Sequence, residues 1–463
     1  MIHKLRLKKT SEEILVPTYT RPGLAIKPAK YEIPDKEMLP DTAYTLIHDE
    51  LILDGISRVN LATFVTTWME PEAKKLMEET FDKNMIDKDE YPQTAELEMR
   101  CVNILANLWN APEGEEAIGT STIGSSEACM LGGMAMKWKW RERMKKLGKP
   151  VDRPNMVMGE NVQVCWEKFC RYWDIEPRLV PMEKGRYIMT APEMIKRCDM
   201  NTIGVVGIMG TTFTGEYEPI AQMNDALEEL NKRTGWEIGI HIDAASGGFI
   251  TPFIQPHLKW DFRLKWVKSI NVSGHKYGLV YPGVGWIVWR TKEDLPEELI
   301  FNVNYLGGDM PTFAINFSRP GNQIVAQYYN FIRLGREGYT SIQKTAQEVA
   351  MFLADEIEKL GVFEMTSRGE DIPVVTWKIK DDANVNFSLY DFTDRLRING
   401  WLIPAYSMPK NIEDMVIARI VVKHGFSKDL AAELIDDMKR HLEYFKEQEG
   451  LRPTKRSANF HHS

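Results

Sequence analysis

The tetrad Ser273-Gly274-His275-Lys276 carries the side chains best suited to covalent chemistry. An apolar, β-branched run, Ile270 to Val272, leads into it. A strand that stops at a Ser-Gly turn presents the next side chains at a sheet edge. A lysine there, with apolar neighbours on both sides, loses part of its hydration. Desolvation favours the neutral amine, and a neutral amine can form a Schiff base. The plainer alternative is a surface lysine that follows a strand. Upstream, the segment from Ile238 to Asp243 ends in a carboxylate, and Ala244, Ala245, Ser246, Gly247 and Gly248 follow it. An acid among small residues can hold a positive charge on a flat ligand packed against it. His241 and Asp243 would also suit a metal pair on one strand face. No third and fourth ligands at recognisable spacing follow them, so no metal is expected.

Two more features fit the same picture. Gly119 to Ala128 is a small-residue turn that leads into a helical pattern from about Glu127 to Lys146. Ser125 or Ser126 can cap that helix while free backbone N–H groups receive a phosphate. An ordinary N-cap would use the same residues. The segment Ile203 to Met209 reads as a strand and ends in Gly210-Thr211-Thr212, which adds a hydroxyl at another strand end.

The elements that must position these groups follow from the pattern. From about residue 117 to 290, short apolar strands alternate with longer helical stretches. The strands read A-I-G-T, N-M-V-M-G, T-I-G-V-V-G-I-M, I-G-I-H-I-D, K-S-I-N-V and G-W-I-V-W. That alternation predicts a mostly parallel α/β sheet, with ligands at the C-terminal ends of its strands. Thr212, Asp243 and Lys276 all lie at or just past such ends. Leu131, Met134, Ala135 and Trp138 predict an inward stripe on the helix after Ser126, with its Lys and Arg residues on a solvated face. Asn60 to Trp68 leads into a helix from Glu70 to about Asn84. Beyond residue 345, a periodic helix (Ile342 to Ile357) stops at Gly361. Strands V-V-T-W-K-I and M-V-I-A-R-I-V-V follow with a helix between them, and a last amphipathic helix spans about Lys428 to Glu447. The expected division is an arm over 1–57, a large domain over 58–345, a small C-terminal α+β domain over 346–448, and a mobile tail over 449–463. Five prolines mark the arm, which is expected to be partly extended and to pack on a neighbouring subunit.

Composition sets outer limits. The chain has 463 residues, 43% of them hydrophobic, enough for a large core. Its 58 basic and 66 acidic residues give a net charge of −8, which disfavours nucleic acid as a main partner. No apolar run approaches the roughly 18 residues a membrane helix needs. The basic N-terminus lacks the apolar stretch of a signal peptide. Cys101, Cys129, Cys165, Cys170 and Cys198 show no paired spacing and are expected as reduced thiols in a cytoplasmic protein. Cys129 should be a small buried residue.

A phosphate seat, a carboxylate and a lysine in this order resemble the group II pyridoxal-phosphate amino acid decarboxylases, and among them the bacterial glutamate decarboxylases. The likeness runs from about Leu51 to the C-terminus. It rests on N-L-A-T-F (60–64), E-Y-P-Q-T-A (90–95), T-I-G-S-S-E-A-C-M-L-G (122–132), H-I-D-A-A-S-G-G-F (241–249), S-G-H-K (273–276) and F-A-I-N-F-S-R-P (313–320). The resemblance implies a fold type I, aspartate aminotransferase-like transferase: a mostly parallel seven-stranded sheet in the large domain and a small α+β domain. The implied reaction is α-decarboxylation of L-glutamate to 4-aminobutanoate and CO2. It consumes a proton and so suits acid resistance. Lys276 would hold pyridoxal 5'-phosphate, and Asp243 would keep its ring nitrogen protonated, which makes the ring an electron sink.

The same likeness assigns the remaining residues. Ser125 and Ser126 would bind the phosphate with His275, also a catalytic residue, nearby; Ser273 would contact the cofactor, and Ser318 would reach the phosphate from the adjacent subunit. Thr212 would contact the cofactor and Ala245 would pack on its ring. Gln163 stands where many relatives place a stacking histidine, a departure that itself fits the bacterial glutamate branch. Thr63 and Phe64 would meet the distal carboxylate, with Asn84 and Asp87 from a neighbouring chain, and Arg419 would take the α-carboxylate. His462, the penultimate residue, would close the site at neutral pH and release it in acid. A borrowed site needs at least a dimer, and the bacterial relatives imply a hexamer. Other readings are a decarboxylase for aspartate or tyrosine, a cofactor-binding protein without activity, and a transaminase or carbon–carbon lyase.

Overall fold

The computed structural model describes residues 30–114, 117–304, 310–448 and 452–454. Residues 30–55 belong to one compact unit and residues from Ile56 onward to another. In the first, Pro40 opens a helix, Pro40–Leu51, none of whose residues is buried. Pro suits that place, because its missing N–H has no helical partner there anyway. Tyr31, Ile33, Tyr44, Ile47 and Leu53 are all exposed.

The second unit is built on seven strands: β1 Ile118–Thr122, β2 Asn155–Gly159, β3 Glu176–Val180, β4 Thr202–Ile208, β5 Ile240–Asp243, β6 Val267–Val272 and β7 Gly285–Trp289. Their order is β1-β7-β6-β5-β4-β2-β3. The pairs from β3 through β2, β4 and β5 to β6 are parallel, while β7 runs antiparallel to both β6 and β1. The six strands read from the sequence are all present. The seventh, β3, reads Glu-Pro-Arg-Leu-Val and is half exposed. A proline and two charges are tolerated there because β3 is an edge strand.

Two short strands, β8 Phe301–Val303 and β9 Met310–Thr312, form a ribbon, and β10 Phe363–Arg368, β11 Val374–Ile379, β12 Ala405–Ser407 and β13 Val416–Val421 form an antiparallel sheet in the order β10-β11-β13-β12. Two core clusters pack on the large sheet, one of them with the helix Ser125–Lys146, and another lies under the small sheet. A helix of 38 residues, Asn322–Lys359, runs through position 345 and buries residues in a cluster of the large sheet and in that of the small one, with a non-helical Gly335 inside it.

Three local expectations need correction. The helix expected from Glu70 to Asn84 is Pro71–Glu79. The Thr80 hydroxyl donates to the Leu76 carbonyl and helps end it, and Asn84 then bridges to Pro320. On the helix Ser125–Lys146, Trp140 is buried and Trp138 is only half-buried, with Arg141 over its ring. The first half of that helix is packed on all sides, so its inner face is wider than one stripe. Finally, neither serine caps this helix: Gly124 is the cap residue and no side chain bonds the first turn. Residues 1–29 of the arm, and His462 with most of the tail, lie outside the described residues.

Candidate active site

The parallel strands end on one side of the sheet, and a cavity of about 360 Å3 opens there. Ser125 and Ser126 line it from the helix start, Gln163 and Cys165 from the next helix start, and Thr212, Asp243, Ala245, Ser273, His275 and Lys276 from strand ends. The structure thus gathers every residue that the sequence reading gave to the cofactor except Ser318.

Lys276 is buried against the Phe64 ring, its Nζ 5.0 Å from the centroid. Burial lowers its pKa, as a reactive amine requires, although Asp243 opposes the shift. Burial, with Lys276 alongside, pulls the His275 imidazole down to about 4. His275 is therefore neutral and can donate from one nitrogen. Asp243 is buried and held at both oxygens. The Trp166 indole donates to Oδ2 at 2.9 Å; the Ala245 N–H and the Asn271 amide donate to Oδ1 at 3.2 and 3.3 Å. Asn271 also donates to Ser125 Oγ at 2.8 Å, so one side chain ties the carboxylate to the helix start.

His241 points elsewhere. Its ring nitrogens sit 2.7 Å from Ser269 Oγ and 2.7 Å from Asn271 Oδ1, and burial lowers it to about 4. Both nitrogens are taken, so it does not pair with Asp243 as a metal ligand.

Among the buried polar atoms at the cavity that have no partner are Ser273 Oγ and His275 Nδ1. Unpartnered buried groups of this kind are rare and need an explanation. Together with the uncapped helix start they fit an anionic group such as a phosphate. The buried amine and the oriented carboxylate fit the rest of a pyridoxal phosphate.

The substrate-side residues fall into two groups. Arg419, on β13, donates to the Thr212 carbonyl at 2.5 Å and the Ala62 carbonyl at 2.8 Å. Its Nε is buried without a partner, and its guanidinium lies 4.9 Å from the Phe64 ring and 5.5 Å from the Tyr406 ring. Thr63 accepts from the Val65 N–H. Asn84, Asp87 and Ser318 are not brought to this cavity. The Asn84 amide donates to Ser318 Oγ at 3.3 Å and accepts from the Arg319 N–H at 3.1 Å. Asp87 closes the turn after Asn84.

Trp166, Asn271 and Cys165 were missed in the sequence. Asn271 did leave a signal, as a polar residue inside the apolar run of β6. Trp166 left none, because an aromatic residue three positions after Gln163 reads as core.

Comparison with known proteins agrees with this geometry. The pyridoxal-dependent decarboxylase conserved domain matches residues 34–380. A glutamate decarboxylase of Aliivibrio fischeri is 59% identical over 435 residues, covering 94% of each chain. A glutamate decarboxylase of Lactococcus lactis subsp. lactis is 53% identical over 433 residues, 93% of each chain. Among solved structures, a Lactobacillus brevis glutamate decarboxylase superposes with a TM-score of 0.89 at 50% identity, covering 92% of this chain and 97% of that one. A Burkholderia pseudomallei sphingosine-1-phosphate lyase shares the fold alone, with a TM-score of 0.76 at 19% identity, over 90% and 94% of the two chains.

Proposed function

The chain belongs to the pyridoxal-dependent decarboxylase family, and from that premise we propose that it removes the α-carboxyl group of L-glutamate, giving 4-aminobutanoate and CO2. The observation that carries this reading is a buried lysine and an oriented carboxylate in one cavity with two unpartnered donors. Pyridoxal phosphate, when bound, supplies an electron sink for the charge left at the α-carbon.

The chain's own residues do the rest. Lys276 would hold the cofactor through Nζ, whose burial favours the neutral, reactive amine. Asp243, its oxygens directed by Trp166 and Asn271, would keep the ring nitrogen protonated. Ser125, Ser126, Ser273 and His275 would take the phosphate, and Ala245, Gln163 and Thr212 would line the ring. Arg419 orients the α-carboxylate, using the Nε–H that has no partner within the chain. Thr63 and Phe64 receive the distal end.

Asn84, Asp87 and Ser318 serve a neighbouring copy. Their position outside this cavity supports that, as does the exposed apolar surface beside them at Ile315 and Phe317. The exposed apolar side chains of residues 30–53 support a further contact. The assembly is thus a homo-oligomer, at least a dimer and on the relatives' pattern a hexamer. Among the described residues no helix is long and apolar enough to cross a membrane. The reading places the enzyme in the cytoplasm, where consuming a proton per turnover would counter acid. The divisions at residues 57, 345 and 448, and a tail switch at His462, complete the proposal.

The test is CO2 release by the purified, cofactor-loaded protein from L-glutamate, L-aspartate and L-tyrosine at mildly acidic and neutral pH. Release from glutamate alone supports the proposal. Release from another acid would keep the mechanism and discard the assignments of Thr63, Asn84 and Asp87. Pyruvate or an aldehyde in place of CO2 would mean a transaminase or a lyase.

A further inference from the structure

Among the described residues, one group of side chains gathers metal-ligating atoms, two of them thiols given no role above: Cys129 Sγ, Cys165 Sγ and an Asp243 carboxylate oxygen lie within 4.8 Å of one another. All three residues are buried, and all three line the cavity that holds Lys276. An ion reaching that cavity meets them directly. A triangle of this size needs only a small inward shift to put each atom at a bonding distance of about 2.0–2.3 Å from a zinc-sized ion. Two sulfurs and one oxygen select soft or borderline ions such as zinc or cadmium over magnesium or calcium.

The thiols have no competing task of weight. The Cys129 thiol makes a long contact of 3.5 Å to Asn271 Oδ1 and otherwise meets the other two members of the group, Cys165 and Asp243. The Gln163 side chain caps its helix by accepting from the Cys165 N–H, a bond that does not use the Cys165 sulfur, whose partner is the Cys129 thiol. Burial pushes the Cys129 thiol well above its usual range, so it stays protonated unless an ion replaces the proton. Binding therefore releases one proton from each thiol, and two thiolates with one carboxylate leave a single net negative charge around a divalent ion. Lys276, buried in the same cavity, can take up a proton to balance it.

We propose that Cys129, Cys165 and Asp243 form a binding site for one soft divalent ion in the cofactor-free protein, and that this ion and the cofactor exclude each other. The exclusion rests on the role proposed for Asp243: the carboxylate that binds the ion is the one needed at the ring nitrogen. A metal-loaded chain would stay without cofactor until the ion is removed, so metal availability would govern how much newly made protein becomes active.

The experiment uses the full-length chain stripped of pyridoxal phosphate, with cadmium as the probe. Bound metal is counted by elemental analysis, and thiolate–cadmium absorption is followed in the ultraviolet. The expected result is one cadmium per chain with that absorption, none in the cofactor-loaded protein, and cofactor uptake that stalls until a chelator is added. Cys129→Ala and Cys165→Ala should each weaken cadmium binding by about tenfold or more. Circular dichroism and the melting temperature of each variant separate a lost ligand from a lost fold. Absence of thiolate absorption, equal cadmium binding by folded variants, or cadmium on the thiols together with a full complement of cofactor would each overturn the proposal. Cadmium held by both thiols in a protein that never takes up pyridoxal phosphate would instead overturn the functional reading and leave the ion site standing.

Discussion

Phe64 has Lys276 Nζ 5.0 Å and the Arg419 guanidinium 4.9 Å from its ring centroid. A ring face attracts the guanidinium cation, so Phe64 helps to hold Arg419 near the lysine without a hydrogen bond to either. Lys276 itself is irreplaceable in the proposed reaction. Lys276→Ala should abolish the yellow cofactor band and lower CO2 release on the order of a thousandfold or more. A variant that keeps both would show the lysine to be structural. Asp87 offers a subtler test. A carboxylate set against a substrate carboxylate repels it unless the two share a proton, which favours acidic pH. Asp87→Asn should therefore extend activity toward neutral pH, and an unchanged pH–rate profile would remove Asp87 from the substrate site. The residues of the lysine strand end were legible from type and spacing. The partners that aim Asp243 were not, because Trp166 and Asn271 are brought to it only by the sheet order.

The helix Ser125–Lys146 starts at the turn proposed to take the phosphate, and its approach to the sheet depends on Gly132. A methyl on that residue would lie 2.4 Å from the buried His241 ring. Gly132→Ala should push the helix off β5, destabilise the chain by about 1–3 kcal/mol and weaken cofactor binding with it. Denaturant unfolding and a cofactor titration would check this, and a variant that loses neither would show that the ring can give way. Glu127, in the first turn, accepts from the Ile123 N–H at 2.9 Å and from the Ile315 and Asn316 N–H groups at 2.9 and 3.1 Å. One carboxylate thus joins the phosphate turn to the segment bearing Ser318. Strands were the easiest elements to read, because continuous apolar runs such as Val-Val-Gly-Ile belong to buried parallel strands. Helix limits were harder. Asn322 to Leu334 had no visible start signal, and Thr80 gave no sign that it would end its helix early.

At the scale of the molecule, acidity acts on stability. His241 has a folded pKa of about 4 against 6.5 when free, so it is buried neutral. The unfolded chain binds its proton first. The stability His241 contributes is complete above pH 6.5 and is lost as pH falls toward 4, by up to about 1.4 kcal/mol per unit. Glu218, pushed by burial up to about 7, has the opposite sign: its contribution is present below pH 4.5 and is lost as pH rises through 7. Unfolding free energies of the wild type and His241→Gln should converge between pH 6.5 and 4, and curves that stay parallel would mean the ring is not buried neutral. The tail has an anchor of its own, since the Thr454 N–H donates to Asp391 at 2.9 Å. Deleting residues 450–463 removes that anchor together with His462 and should extend activity toward neutral pH. An unchanged profile would leave the tail without a switching role.

The sheet order has a consequence for how the protein is made. β1 ends at Thr122, and its one neighbour in the large sheet, β7, begins at Gly285. On the ribosome, the first strand to emerge is therefore one of the last to find its partner. At elongation speeds of roughly 5–20 residues per second the wait is on the order of ten seconds. During it β1 shows a bare edge, with the apolar helix Ser125–Lys146 behind it and no β7 to close the end of the sheet. A chain stalled before Gly285 is an aggregation hazard, so the safety of synthesis depends on a strand that arrives late.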